Sequence, residues 1–488
     1  MALAPAYYAE NRQGSTARAC LGTLIFLLLL MFSTFACIAV SQTVVETLPG
    51  FPGTLPFKLE TGYIGVGDAD EVQLFYYFIE SERNPVTDPL LLWISSGPGC
   101  SGLAALAFEI GPLTFDVGAF NGSIPTLGQN PHSWTKVASI IFIDQPCGAG
   151  FSYATTSDAY NTSDTRSAAK VYSFLRKWFT FHPQFLFNPL YIGGDSYSGM
   201  TLPVIVQTIL NGIEDDLYPM MDLQGYLLGN PATDYFVDGN SRIPYAHRVN
   251  LLSDEQHLGA ELYCHGDYLN VDANNTLCLT VLQSIKECLQ LLNYGQILEP
   301  LCGFLSPKIK QTEWDPRAQE EDDINFILSL PKLPELRCRS FGYALAYKWA
   351  NNKSVQDALN VRPGTVANWT MCPKRFDSYT KDVNSTIAYH KNFTETGLRA
   401  LIYSGDQDLI VPYMGTMEWI NALGLSIFDQ WRPWFFEGQV AGYTQKYMND
   451  HFSLTYATVK GAGHTAPEYK PEESLALVDR VVRPVGGT

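Results

Sequence analysis

The hydrophobic positions fall into continuous apolar runs bounded by glycine-rich turns, and these alternate with stretches of helical period. Pro89-Leu-Leu-Leu-Trp-Ile94 and Ser139-Ile-Ile-Phe-Ile-Asp144 have the length and composition of buried strands, and each leads into a Gly-rich turn. Between Ser167 and Thr180, Val171, Phe174, Leu175 and Trp178 recur at the spacing of one helix face. A short strand, Leu190-Tyr191-Ile192, a tight turn and a second helical stretch from Thr201 to Leu210 come next. The pattern returns in strands Ala400–Tyr403 and Tyr456–Val459. Strand–helix alternation of this kind predicts an α/β fold, a mostly parallel central sheet flanked by helices on both faces.

The middle of the chain breaks that alternation. From Pro231 to Pro373 it carries most of the cysteines, helical patches and the acidic stretch Gln319-Glu-Glu-Asp-Asp323, which predicts an insertion capping the sheet. The core is thus expected in two parts, 42–230 and 374–488, around a cap at 231–373. Residues 306–336, polar with several prolines, are expected to form an exposed or processed loop.

Composition narrows the class. With 46% hydrophobic residues the chain can bury a large core, and a formal net charge of -17 without a basic patch excludes a nucleic-acid partner. Arg12 and Arg18 precede an apolar run from Leu21 to Val40, with small residues around Ala39 and Ser41, so residues 1–41 read as a secretory signal. The run also has the length of a bilayer span, and membrane attachment would follow if it stays uncleaved. Seven sequons, at Asn121, Asn161, Asn274, Asn352, Asn368, Asn384 and Asn392, agree with a lumenal glycoprotein. Of ten cysteines, Cys20 and Cys37 lie in the leader, and the other eight read as disulfide material in an oxidising compartment. The spacings Cys264–Cys278 and Cys288–Cys302 suit local staples, although spacing leaves connectivity open. No CxxC pair occurs, and neither a metal nor a cofactor is expected.

The chemistry concentrates in three turns. Ser196, within Gly193-Gly-Asp-Ser-Tyr-Ser-Gly199, follows a strand and precedes a helix, the context of a nucleophile elbow, although Ser198 stands where the strict G-x-S-x-G pattern has its second glycine. A serine needs a histidine to take its proton and a carboxylate to orient that histidine. Strand Ala400–Tyr403 runs into Ser404-Gly-Asp-Gln-Asp408, and strand Tyr456–Val459 into Lys460-Gly-Ala-Gly-His464, so acid and base follow the serine in α/β-hydrolase order; spacing does not choose between Asp406 and Asp408. The turn Ser95-Ser-Gly-Pro-Gly99 can supply an oxyanion donor at the Gly97 amide, with the Tyr197 amide as the second.

Together with these turns, Trp93-Ile-Ser-Ser-Gly-Pro-Gly-Cys-Ser101, Phe108-Glu-Ile-Gly-Pro112 and Asp144-Gln-Pro-Cys-Gly-Ala-Gly-Phe-Ser-Tyr153 resemble the serine carboxypeptidase-like proteins from about Leu48 to Arg483. The resemblance implies an α/β-hydrolase fold with a helical, disulfide-stapled cap, a Ser196–Asp408–His464 triad, bridges Cys100–Cys338, Cys264–Cys278 and Cys288–Cys302, and free thiols at Cys147 and Cys372. Peptidase members carry Asn and Glu where this chain has Ser95 and Asp195, and Gly where it has Ser96; with a further Glu, matching Glu109, these hold a peptide's terminal carboxylate. Shortening Glu to Asp withdraws a carboxyl by one methylene, enough to misplace a partner in a tight site. Asp195 and Glu109 are expected to form a close carboxyl pair sharing a proton, suited to an acidic compartment.

The Asp-Ser-Tyr-Ser wording is similar to the plant acyltransferase branch, implying transfer of an acyl group from a 1-O-β-glucose ester to an acceptor hydroxyl, in the vacuole or outside the cell. The expected partners are therefore an acyl-glucose donor and an alcohol acceptor. A carboxypeptidase acting on peptides is the alternative, and a secreted glycoprotein without catalysis a third reading.

Overall fold

The computed structural model describes residues 42–301, 339–372 and 379–483. The expected leader 1–41 with Cys20 and Cys37, the loop 306–336, and Cys302 and Cys338 lie outside the described residues.

The apolar runs that read as strands pair into one mixed sheet of twelve strands. Its middle consists of β4 (Leu90–Ile94), β5 (Ser139–Ile143), β6 (Leu190–Asp195), β7 (Leu223–Gly229), β8 (Arg399–Gly405) and β11 (Ser453–Val459), all mutually parallel in the order β5-β4-β6-β7-β8-β11. Antiparallel strands extend both edges. On one side lie β1 (Thr43–Val45), β2 (Leu59–Val66) and β3 (Val72–Ile79), and on the other β10 (Gln439–Met448) and β9 (Ser426–Phe436).

The parallel strands are buried on both faces, which is why they read as unbroken apolar runs. In β4, Leu91 and Trp93 join one layer, while Leu90, Leu92 and Ile94 face the other. That second layer receives α1 (Asp164–Phe181) through Val171, Phe174, Leu175 and Trp178, and α2 (Ser198–Glu214) through Leu202, Val206 and Ile209. Each such side chain contributes roughly 1.5–3 kcal/mol by leaving water. Ser163 caps α1 by accepting the Arg166 N–H.

Between β7 and β8 come α3 (Tyr235–Asn240), α4 (Arg242–Arg248), α5 (Asp254–Cys264), α6 (Thr276–Leu289) and α7 (Ser340–Ala350). Residues Gln42–Thr488 form one compact unit that includes these helices.

The cysteines depart from the expected pairing. Cys264–Cys278 is bridged and ties α5 to α6, but Cys100 is bonded to Cys372, not to Cys338. The cause is local: the Ser101 N–H donates to the Met371 carbonyl at 2.7 Å, which lays the 371–372 segment on the turn after β4 and brings the two Cα atoms to 4.1 Å. Cys372 is therefore no free thiol. Cys288, expected to bond Cys302, is a free and exposed thiol that donates to the Leu251 carbonyl at 3.4 Å. Cys147 is free and buried, and burial pushes its thiol up to about 12.

Candidate active site

The site forms at the carboxyl ends of the parallel strands, where strand-to-helix turns leave backbone groups and side chains free to converge. Ser196 sits between β6 and α2 with φ +53, a left-handed conformation that holds its side chain clear of both elements. Its N–H donates to the Gly229 carbonyl at 2.9 Å, and its carbonyl accepts from the Ala232 N–H at 2.9 Å, so the turn is pinned to the end of β7. A Cβ at Gly194 would fall 2.7 Å from the Ile94 carbonyl oxygen, and one at Gly199 would fall 2.2 Å from that of Ala232. This explains why Ser198 can replace the second motif glycine: the close approach occurs at Gly199, and the Ser198 hydroxyl donates to the Ile94 carbonyl at 2.8 Å.

His464 lies 2.7 Å from Ser196 through Nε2 and Oγ, and its Nδ1 lies 2.7 Å from Asp408 Oδ2. All three residues are buried. Asp408 Oδ1 accepts the Ile410 N–H at 2.7 Å, and Oδ2 accepts the Val411 N–H at 3.2 Å. Asp406 points elsewhere, accepting the Gly461 N–H at 2.7 Å at the foot of the histidine turn; burial raises its pKa. The two aspartates that spacing left open thus take different positions: Asp408 meets His464, and Asp406 braces the loop.

Several residues with no motif of their own complete this arrangement. Asn230, at the end of β7 with φ +40, donates from Nδ2 to Asp408 Oδ2 at 2.9 Å and accepts the Gly405 N–H at 2.9 Å. Its signal in the sequence was its place in Gly229-Asn-Pro231, a turn at the carboxyl end of a central strand. The segment after α6 ties both loops together: the Tyr294 carbonyl accepts the Leu409 N–H at 2.9 Å, and the Gly295 carbonyl accepts the His464 N–H at 2.7 Å.

Gly97, at φ +147, lies in the turn after β4, next to the turn after β6 that carries Tyr197. Tyr197 is fixed by its phenol, which donates to Asp164 at 2.9 Å; the same carboxylate takes the Tyr379 hydroxyl at 2.7 Å and the amides of Asp382 and Val383. Ser95, Ser96, Glu109 and Asp195 are all buried, Glu109 closing a π-helical turn over Ala105–Glu109. Burial, then the charges of Asp195 and Glu109, holds the Tyr403 phenol well above its ordinary pKa, so both carboxyls lie within electrostatic reach of that hydroxyl. The sequence signalled those carboxyls only through family resemblance and gave no sign of Tyr403.

The strand order and the serine turn at its centre define the α/β-hydrolase fold. Comparison with known proteins agrees. The yeast prohormone-processing carboxypeptidase Kex1(Δ)p from Saccharomyces cerevisiae superposes with a TM-score of 0.66, covering 90% of this chain and 94% of that one at 20% identity, a likeness of fold. The family description serine carboxypeptidase matches residues 49–484. Serine carboxypeptidase-like 13 of Arabidopsis thaliana is 46% identical over 458 residues, covering 94% of this chain and 98% of the relative. Serine carboxypeptidase-like 16 of the same plant is 48% identical over 442 residues, covering 90% and 93%. The chain belongs to the serine carboxypeptidase family.

Proposed function

We propose that this enzyme transfers an acyl group from a 1-O-β-glucose ester to an acceptor hydroxyl through an acyl-enzyme on Ser196. The observation that carries the reading is the hydrogen-bonded series Ser196 Oγ–His464 Nε2 and His464 Nδ1–Asp408 Oδ2, each contact 2.7 Å, together with buried Ser95 and Asp195, which stand in place of the Asn and Glu that the resemblance gives to the peptidases. His464 takes the Ser196 proton as Oγ attacks the ester carbonyl, while Asp408 holds the imidazole orientation and balances its charge. The Gly97 and Tyr197 amides receive the oxyanion. The bond to glucose then breaks, its oxygen taking the proton from His464. The acceptor hydroxyl gives its own proton to His464 as it attacks the acyl carbonyl, and His464 passes that proton to Ser196 Oγ as the acyl–serine bond breaks, regenerating the serine.

Carboxypeptidase activity is the second reading, favoured by the buried Glu109, the carboxylate of the peptidase pattern that this chain keeps. Incubating the protein with a panel of acyl-glucoses and alcohols, beside blocked dipeptides, separates the two. Ester products that vanish in Ser196→Ala support transfer, whereas release of C-terminal amino acids with no ester product overturns it.

The reading includes a secretory route to the vacuole or the cell exterior. Its support is the two disulfides and the sequons, of which all but Asn352 are exposed; Asn352 is half-buried and caps a helix by accepting the Ser354 N–H. Among the described residues no helix is long and apolar enough to cross a membrane. N-terminal sequencing of the mature protein and a mobility shift on deglycosylation test the route.

A further inference from the structure

The loop that carries Asp408 is held from a direction that the triad itself does not use. Asp408 accepts the Ile410 N–H at 2.7 Å, and the carbonyl of that same Ile410 accepts Arg242 Nε at 2.9 Å. Arg242 opens α4, so its guanidinium reaches out of the helical insertion to the end of the core strand β8. Its side chain is part-buried, in the electrostatic reach of Asp408 first, then Asp238 and Tyr294. Ile410 packs against Tyr197, Met200 and Ala232, the apolar surround of the serine turn, with Tyr294 at its edge. A single cation therefore touches the acid's loop, the insertion and the wall of the site.

We propose that Arg242 is a positioning residue for the acyl-transfer chemistry, clamping the Ile410 carbonyl to fix the Asp408 loop and placing a positive charge within electrostatic reach of Asp408. This rests on the reading that Ser196, His464 and Asp408 act together. The hydrogen bond sets where the carboxylate stands, and the guanidinium adds a positive charge within electrostatic reach of that carboxylate.

Arg242 is distinctive among the groups facing this pair. Tyr245 and Tyr469 have their ionisation pushed up by burial and stay neutral, as does Tyr294. Asp406 is turned to the Gly461 amide, and Asp238 accepts the amides of Thr233 and Asp234. Arg339, the other cation near Tyr469, forms an ion pair with Glu299 at 2.9 Å. Asp195, next to Ser196 in the chain, and Glu109 bear electrostatically on Tyr403.

The test is the rate of covalent labelling by a fluorophosphonate, which needs no knowledge of the substrate, measured from pH 4 to 9 on the full chain. Arg242→Gln is expected to slow labelling roughly tenfold at neutral pH and to move the acid midpoint of the rate profile up, the sign expected when a positive charge is removed from the surroundings of the acid–base pair. Arg242→Lys, which keeps charge but not the planar fork, is expected to restore the midpoint while recovering only part of the rate. A thermal melt of each variant establishes that it is folded. A folded Arg242→Gln whose rate and midpoint match the wild type overturns the proposal, as does an Arg242→Lys that shares the shifted midpoint of Arg242→Gln. Should Arg242→Gln not fold, the Arg242→Lys profile decides alone: an unchanged midpoint with slower labelling supports the clamp, and an unaltered rate overturns it. Failure of the underlying reading looks different, since labelling would then be absent in the wild type or persist in Ser196→Ala.

Discussion

Asp238 offers a sharp test of the physical reasoning, because its carboxyl lies in α3 with no exposure and is used asymmetrically. Oδ2 accepts the Thr233 N–H at 2.7 Å and the Asp234 N–H at 3.0 Å, while Oδ1 has no hydrogen-bond partner among the described residues and faces Gly415. Desolvation, partly offset by those two amides, raises its pKa from 3.8 to about 7. A carboxyl whose folded pKa is raised binds a proton more readily in the native state, so its contribution to stability is fully present below pH 3.8 and is lost as pH rises to about 7. At 1.36 kcal/mol per pH unit the whole window is worth about 4 kcal/mol, and the part between pH 5 and pH 7 about 2 kcal/mol. Asp238→Asn keeps an oxygen for both amides and removes the titration. Urea unfolding followed by tryptophan fluorescence at pH 5, 6, 7 and 8 measures both proteins. The wild type is expected to lose about 2 kcal/mol relative to Asp238→Asn between pH 5 and 7 and nothing further above pH 8. Parallel pH dependences for the two proteins would refute the argument that an unsolvated, half-used carboxyl is what titrates. Asp144, pushed to about 6 mainly by burial, adds a loss of the same sign in the wild type and the variant alike, so it cancels in the difference.

Further expectations concern the site and its scaffold. Asn230→Gly preserves the φ of +40 but removes the amide bonded to Asp408; at about 1.5–3 kcal/mol for a hydrogen bond to a charged group, fluorophosphonate labelling should slow by about 10- to 100-fold, and an unchanged rate would exclude a positioning role. Gly199→Ala drives a methyl to 2.2 Å from the Ala232 carbonyl oxygen, so the thermal midpoint should fall by an amount corresponding to about 1–3 kcal/mol, and a wild-type melt would show that this turn has slack. Peptide mapping without reduction should yield a Cys100–Cys372 peptide; recovery of Cys100 joined to Cys338 would overturn that pairing. Replacing both Cys100 and Cys372 with serine opens a loop of 272 residues and should cost on the order of 3–5 kcal/mol in urea unfolding.

What the sequence by itself determined follows from local physics. Unbroken apolar runs such as Leu90–Ile94 can only be strands buried on both faces, the spacing of Val171, Phe174, Leu175 and Trp178 fits one helix face, and the turns after such strands locate Ser196, His464 and the pair Asp406 and Asp408. Other features depend on contacts between residues hundreds of positions apart, for which no local pattern exists. Spacing left Asp408 and Asp406 equivalent and only the family resemblance pointed to Asp408; tertiary structure supplies the physical reason, since both follow β8 and the direction of approach of the His464 turn distinguishes them. It alone gave Asp408 its supports in Asn230 and, through Ile410, in Arg242. Cysteine pairing belongs to the same class: a bridge forms where the fold brings two Cα atoms together, and a hydrogen bond from Ser101 to Met371 brought Cys372 to Cys100. Periodicity records how each segment meets solvent; which segments meet each other is decided when the sheet closes over its helices.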